Sequence, residues 1–288
     1  MENDSNNAHI LMKIMFQGKL PVRVHDAHKG LFGSIAIIGG AAGMVGSVFL
    51  AARAAVHCGA GRVYTAILSN DGPIIDVLQP EIMLRSPLAI SQLSQLDVVV
   101  IGTGLGLSNN AIEILEYWLA QNIPLLLDAD ALNLLAKHLY LADILKSRNS
   151  ETVITPHAAE AARLLDISTQ QIQQNRVENA LKLAKILNVT CVLKGAGSIC
   201  AHHDGSWFIN STGNVGLASG GTGDVLSGII GSLMAQGLTG LNAAKFGVYV
   251  HGAAADELVN KGVGPVGLTA SELILESRNI INKINISA

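Results

Sequence analysis

Asn210–Ile230 reads NSTGNVGLASGGTGDVLSGII: Gly213, Gly216, Gly220, Gly221 and Gly223 precede a single carboxylate, Asp224, and an apolar run begins at Val225. So much glycine before one acid describes a backbone shaped around a ligand. A helix opening at GTGD brings free backbone N–H groups and the positive end of its dipole to one place, which is an anion site. Gly220, Gly221 and Gly223 let phosphate oxygens approach that backbone closely. The alternative is that Asp224 is an ordinary first-turn residue that helps the helix dipole and binds nothing.

Upstream, GSIAIIGG (Gly33–Gly40) is a short β-branched run ending in glycines. It is followed by the alanine-rich helical pattern GSVFLAARAAVHCGAGRVY, closed by Gly59 and Gly61. The theme recurs in DVVVIGTGLG (Asp97–Gly106), the amphipathic NNAIEILEYWLAQ, PLLLDADALNLLAKH (Pro124–His138), TVITPHAAEAARLL (Thr152–Leu165) and TCVLKGAGS (Thr190–Ser198). One polar helical pattern spans Gln170–Leu187. Strands alternating with helices predict an α/β fold with a mostly parallel central sheet flanked by helices on both faces. Ligands of such sheets collect at the carboxyl ends of the strands, and there stand Gly39, Gly40, Gly104, Gly106, Asp128, Asp130, His157 and Lys194. SICAHHDGSWFIN reads as two short strands around Asp204-Gly205, a type I′ hairpin signal. DVLSGIIGSLMAQG and NAAKFGVYVHGAAADELVNKG are apolar on most faces and are placed inside, against the sheet.

At 288 residues the chain is within reach of one large domain spanning residues 1–288, with the Asn-rich residues 1–20 as a loosely ordered lead-in. Hydrophobic residues make up 49% and charged ones 14%, which suits a sheet buried on both faces. A net charge of −3 with scattered Lys and Arg gives no field for nucleic acid. Cys58, Cys191 and Cys200 are odd in number and lack CxxC spacing, so they read as buried free thiols in a reducing compartment. The start MENDSNNAHILMK is not a signal peptide, and no apolar run approaches the roughly 18 residues of a membrane span. A cytoplasmic protein with no membrane partner is expected.

IIGGAAGMVGS places glycines after a strand, but Gly39, Gly40, Gly43 and Gly46 do not have the G-x-G-x-x-G spacing of a dinucleotide fold. GxxxxGK[ST] does not occur either, which leaves a phosphate-binding enzyme of another design. In order, HKGLFGSIAIIGGAAGMVGSVFLAARAAVHCGAGRVY, DVVVIGTGLG, LLLDADALN, VITPHAAE, VLKGAGS and NSTGNVGLASGGTGDVLSGII resemble the ribokinase-like fold and, within it, the ADP/ATP-dependent NAD(P)H-hydrate dehydratases. The resemblance covers roughly Val24–Leu275.

It implies repair of hydrated NADH and NADPH (the S epimer) by phosphorylation of the ring hydroxyl and loss of phosphate, ADP giving AMP and phosphate. ADP or ATP with Mg2+ is the implied phosphoryl donor. A homotetramer is implied as well. The epimerase fused to some relatives finds no room in this chain and is expected as a separate partner. A kinase of a thiamine precursor, which shares the glycine-Asp turn, and a nucleotide-binding sensor that has lost catalysis are the other readings.

A hydroxyl attacking a terminal phosphoryl group needs a carboxylate to take its proton and donors for the phosphoryl oxygens. Asp224 and the Gly221-Thr222-Gly223 amides supply both from one turn. Lys194 closes a buried strand, where a cation is costly unless it meets an anion. By resemblance Lys194, Gly195, Ala196, Gly197, Ser198 and Gly223 lie along the nucleotide, with Ser198 in place of the usual threonine. Also by resemblance, Ser47, Gly104, Gly106, His157 and Asp224 face the hydrated cofactor. Asp128, Asp130 and Asn133 position substrate or a hydrated magnesium ion, or else cap a helix starting near Ala131. Departures from the family pattern are Thr103 for proline, Ser47 for alanine, and Ala158-Ala159 for the Pro-Gly of TPHPGE, which makes the shape of that loop a question for the structure.

Overall fold

Apolar runs of three to six residues alternate with helices along most of the chain. The computed structural model describes residues 9–285. Its elements begin with β1 (Ser34–Gly39), α1 (Val45–His57), β2 (Arg62–Ile67), β3 (Met83–Leu84), α2 (Pro87–Ser91), β4 (Val98–Ile101) and α3 (Asn109–Leu119). Next come β5 (Leu125–Leu127), α4 (Asp130–Lys137), α5 (Leu139–Lys146), β6 (Thr152–Ile154), α6 (Ala158–Leu165), α7 (Thr169–Gln174) and α8 (Arg176–Leu187). The chain continues through β7 (Thr190–Leu193), β8 (Ile199–His202), β9 (Trp207–Ile209), α9 (Thr222–Ala235), α10 (Gly240–Asn260) and α11 (Ala270–Asn285).

The strands form one nine-stranded sheet in the order β3-β2-β1-β4-β5-β6-β7-β8-β9. β3 to β7 are mutually parallel, and β8 and β9 continue the sheet antiparallel. Successive strand side chains point to opposite faces, and each face has its own core. Ile35, Ile37, Val98, Val100, Leu126 and Val192 pack with residues of α1, α9, α10 and α11, among them Val225, Ile229 and Phe246. Ala36, Ile38, Val99, Ile101, Leu125 and Leu127 pack with residues of α3 to α6 and α8, among them Leu115, Leu132 and Leu183. Both faces are therefore covered, which is why these strands carry continuous rather than alternating apolar runs. Cys58, Cys191 and Cys200 are buried free thiols, and burial pushes all three up. Among the described residues no helix is long and apolar enough to cross a membrane.

Three details differ from the sequence reading. The first eight residues lie outside the described part, but the lead-in is packed from His9 onward. The His9 ring stacks on Trp207 at 3.9 Å, Leu11 N–H donates to the Ile209 carbonyl, and Phe16 stacks on Phe246 at 4.8 Å. Leu11 and Phe16 are buried, and each such side chain contributes roughly 1.5–3 kcal/mol, enough to hold a short polar segment down.

The hairpin turn is also not type I′. Gly205 has φ +94° while Asp204 stays at negative φ, and Gly205 N–H donates to the His202 carbonyl. His203 lengthens the loop to a type I turn followed by a left-handed glycine, the three-residue alternative. Finally, the polar helical pattern over Gln170–Leu187 breaks at Asn175 (φ −134°, ψ 56°), so α8 starts afresh at Arg176.

Candidate active site

Because β1 and β4 to β7 run parallel, the loops that follow them meet at one edge of the sheet. The loop after β1 is tied to the loop after β4: Gly40 N–H donates to the Thr103 carbonyl (3.1 Å) and Ala41 N–H to the Gly104 carbonyl (2.7 Å). Gly104 has φ +59°, and a Cβ there would lie 2.7 Å from Met44 Cβ, so only glycine lets the two loops close. Gly106 N–H donates to Asp130 Oδ2 (2.8 Å) at the start of α4. One turn on, Asn133 lies between Asp130 and Arg163, whose guanidinium donates to Asn133 Oδ1 at 3.0 Å.

At the same edge α9 begins with Gly221 as its N-cap at φ +86°, where a Cβ would strike Leu50 Cδ1 at 2.4 Å. Thr222 Oγ1 donates to the Leu217 and Ser219 carbonyls, so its hydroxyl folds the turn and its side chain is buried. The preceding stretch is stitched to α10. Asn210 Nδ2 donates to the Val248 carbonyl, Thr212 Oγ1 donates to the Tyr249 carbonyl, and Gly213 N–H and Asn214 Nδ2 donate to Asp256. His251 Nε2 meets the Thr222 carbonyl at 2.9 Å, and burial pushes this imidazole down to about 4, so it is neutral and donates that hydrogen bond. Asp224 follows in the first turn. Its carboxyl is pushed up to about 6, first by burial and then by Asp128, against the Ser47 hydroxyl and the Lys194 ammonium, which pull it down.

Lys194 lies between these loops. Its ammonium donates to Asp128 Oδ1 at 2.7 Å, and a Cβ on Gly223 would lie 3.5 Å from its Nζ. Asp128 is 1% exposed, and its other oxygen accepts from Ser227 Oγ on α9 at 2.7 Å. Burial opposes the Lys194 charge, but Asp128 and then Glu160 more than offset it, and Lys194 is raised overall. Burial raises Glu160. His157 is the N-cap of α6: its Nδ1 accepts from the Ala159 and Glu160 N–H groups, while Glu160 Oε2 accepts from His157 N–H in a reciprocal capping box. With Nδ1 accepting, the ring proton is on Nε2, 3.3 Å from Glu160 Oε1, and half of the side chain is exposed.

The geometry thus unites a raised carboxylate, a partly buried ammonium and a helix N-terminus at the mouth of a parallel sheet. The model of the NAD(P)H-hydrate dehydratase family matches residues 35–278. The chain belongs to that family. An ADP-dependent (S)-NAD(P)H-hydrate dehydratase of Neisseria meningitidis is 37% identical over 99% of this chain and 97% of its own length. The bifunctional NAD(P)H-hydrate repair enzyme of Escherichia coli is 40% identical over 91% of this chain, which spans only 50% of that longer protein.

Among solved structures, an ADP/ATP-dependent NAD(P)H-hydrate dehydratase from Bacillus subtilis, co-crystallised with ATP/Mg2+, superposes with a TM-score of 0.84 at 27% identity, covering 95% of this chain and 98% of its own. A ribokinase-like superfamily protein of Enterococcus faecalis superposes with a TM-score of 0.83 at 29% identity, covering 96% of each chain. The fold is ribokinase-like.

Within this family frame the departures acquire physical content. Ala158 and Ala159 occupy the first two positions of α6, where the family's proline also fits because that N–H needs no helical acceptor. The loop therefore keeps a helix start. Thr103 is fully buried and, among the described residues, its Oγ1 has no hydrogen-bond partner. Thr103→Val, which deletes that hydroxyl at nearly constant shape, is expected to stabilise the protein by about 1 kcal/mol in urea melts, and a destabilised variant would show that the hydroxyl is satisfied.

Ser47, expected to face substrate, also lies beside Asp224, and its hydroxyl favours the charged form of that carboxylate. Ser47→Ala should move the acid limb of the kcat/KM profile upward from about pH 6, and an unmoved limb would separate Ser47 from Asp224.

Asp128, Asp130 and Asn133, expected to position substrate or a hydrated magnesium ion, each have protein partners. Asp128 is engaged by Lys194 and Ser227, Asp130 by Gly106, and Asn133 by Arg163. Among the described residues no cluster of three or more His, Cys, Asp or Glu could hold a metal ion directly. Nor do Asp128, Asp130 and Asn133 cap a helix near Ala131, because α4 starts at Asp130 behind Ala129 at φ +46°. Ser227, Arg163 and Asp256 join the site or its supports without having been singled out by the sequence, whereas Glu160 does so as the retained acid of TPHAAE and His251 as a structural histidine.

Proposed function

We propose that this chain returns hydrated NADH and NADPH, the S epimer, to NAD(P)H at the expense of ADP, with ATP as the alternative donor, and so serves nicotinamide cofactor repair as one ribokinase-like domain. The observation that carries this reading is the half-buried Asp224. Its carboxyl is pushed up to about 6, and it stands beside the free amides of an α9 N-terminus and within the field of the Lys194 ammonium. A general base whose pKa lies close to the working pH is both ionised and basic enough to take a hydroxyl proton.

Asp224 takes the proton of the ring hydroxyl as its oxygen bonds to the terminal phosphorus of ADP, and the bond from that phosphorus to AMP breaks. The ring C–O bond then breaks with the oxygen leaving as phosphate, and loss of a neighbouring ring proton restores the double bond. Hydrated NAD(P)H and ADP thereby become NAD(P)H, AMP and phosphate. Gly223 and Asp224 amides and Lys194 offset the charge on the phosphoryl oxygens. Gly221 and Thr222 shape the turn. Gly104, Gly106, His157, Asn133 and Ser47 border the hydrated ring, and Lys194, Gly195, Ala196, Gly197 and Ser198 border the nucleotide. Magnesium arrives on the nucleotide phosphates, which supply the oxygens this ion prefers.

A separate epimerase supplies the S epimer, and a homotetramer is the proposed assembly. Running the reaction on substrate labelled with heavy oxygen in the ring hydroxyl tests the chemistry. The label should appear in phosphate with one AMP formed per NADH, and label released as water would eliminate the phosphorylated route.

A further inference from the structure

Arg176 is half-buried at the first position of α8, and three backbone carbonyls surround its guanidinium: Ala196, Leu193 (3.2 Å) and Lys194 (3.4 Å). Among the described residues it makes no ion pair with a carboxylate, and Glu178 in the same first turn leaves it unpaired. Burial lowers its affinity for a proton. A cation at a helix N-terminus also faces the positive end of the dipole. Arg148 provides the contrast. Its guanidinium likewise donates to carbonyls, those of Trp118, Leu119, Gln121 and Ile123, but at the carboxyl end of α3, where the dipole favours a cation. Arg148 is accounted for as a helix cap, whereas Arg176 is not.

Peptide planarity supplies the consequence. In a trans peptide the carbonyl of one residue and the N–H of the next point in opposite directions. Carbonyls of Lys194 and Ala196 drawn onto Arg176 therefore turn the N–H groups of Gly195 and Gly197 away from it. Neither N–H has an acceptor among the described residues, while Ser198 Oγ closes the loop by donating to the Gly195 carbonyl at 3.1 Å. Gly197, at φ +65°, gives the segment the left-handed step found in anion-binding nests.

We infer that Arg176 is the positioning residue of the nucleotide loop: by holding the Leu193, Lys194 and Ala196 carbonyls it presents the Gly195 and Gly197 amides to the phosphate oxygens of a nucleoside diphosphate. This rests on the reading of Lys194–Ser198 as the nucleotide loop.

The test measures ADP binding to the full chain by calorimetry, exchange of the 194–198 amides with and without ADP, and the KM of each substrate. Wild type should show ADP protection of that segment. Arg176→Ala should weaken ADP about tenfold or more with the KM for hydrated NADH nearly unchanged, and millimolar guanidinium should restore part of the loss. Arg148→Ala should lower Tm and leave ADP affinity alone. Arg176→Lys, which keeps the charge but cannot span three carbonyls, should shift ADP affinity in the same direction and covers the case of an alanine variant that does not fold. Unchanged ADP affinity in the Arg176 variants, or a parallel loss for both substrates, overturns the positioning role while leaving the nucleotide loop in place. Absence of ADP protection in wild type removes the loop reading, and the inference with it.

Discussion

Asp224→Asn is expected to cut turnover by roughly 100-fold or more while leaving ADP affinity unchanged, because the amide keeps the shape of the turn and cannot take a proton. The same substitution should stabilise the fold. The Asp224 carboxyl is pushed up to about 6 from the ordinary 3.8, so ionising it costs the folded state more than the unfolded one. That cost is absent below about pH 4, where both states are protonated, and complete above about pH 6. A shift of this size corresponds to about 3 kcal/mol, and solvent screening of a half-buried group reduces the expected gain to about 1–2 kcal/mol. Urea melts of both proteins at pH 7 and pH 4 check the prediction: the variant should be more stable at the higher pH only. Full turnover in the variant would return Asp224 to the role of a helix first-turn residue.

The second large effect belongs to Lys194. Asp128 is 1% exposed and accepts from Lys194 and Ser227, so Lys194→Met leaves a buried carboxylate with one hydroxyl donor and a backbone N–H in place of an ammonium. Removing one partner of a buried ion pair costs about 3–5 kcal/mol. Lys194→Met should therefore lower stability by about 3 kcal/mol or more in urea melts and also weaken ADP. Combining it with Asp128→Asn should recover a large part of the stability and none of the ADP affinity. A single variant of wild-type stability would show that the pair is solvated rather than buried. The Lys194 ammonium thus has two anionic claims on it, Asp128 in the protein and phosphate in the proposed complex, and the double variant separates them.

Much of this arrangement was legible in the sequence because chemistry-bearing residues interrupt apolar strand runs at their ends. Gly104, Asp128, His157 and Lys194 each follow a run such as VVVI, LLL, TVI or TCVL, and parallel pairing of β4 to β7 carries all four to one edge. The glycine-rich approach to Asp224 was equally visible, since a left-handed N-cap such as Gly221 requires that residue type.

The supports were not visible. Ser227, Asp256 and Arg176 lie on helices whose polar residues have no local pattern that sets a buried hydrogen bond apart from a solvated face. Arg176 was further hidden because the Gln170–Leu187 pattern is continuous in polarity, and only the backbone at Asn175 reveals that a new helix starts there. Asp128 was ambiguous for a different reason. In DADALN either aspartate fits a helix start, and the partners that choose between them, Lys194 and Ser227, are 66 and 99 residues away in the chain.

The most direct test incubates the purified chain with chemically hydrated NADH, ADP or ATP, and magnesium, and follows the near-ultraviolet absorbance of reduced nicotinamide. Nucleotide-dependent recovery of NADH, lost in Asp224→Asn, is the predicted result. No recovery with either nucleotide, together with phosphorylation of a thiamine precursor by the same preparation, would contradict it.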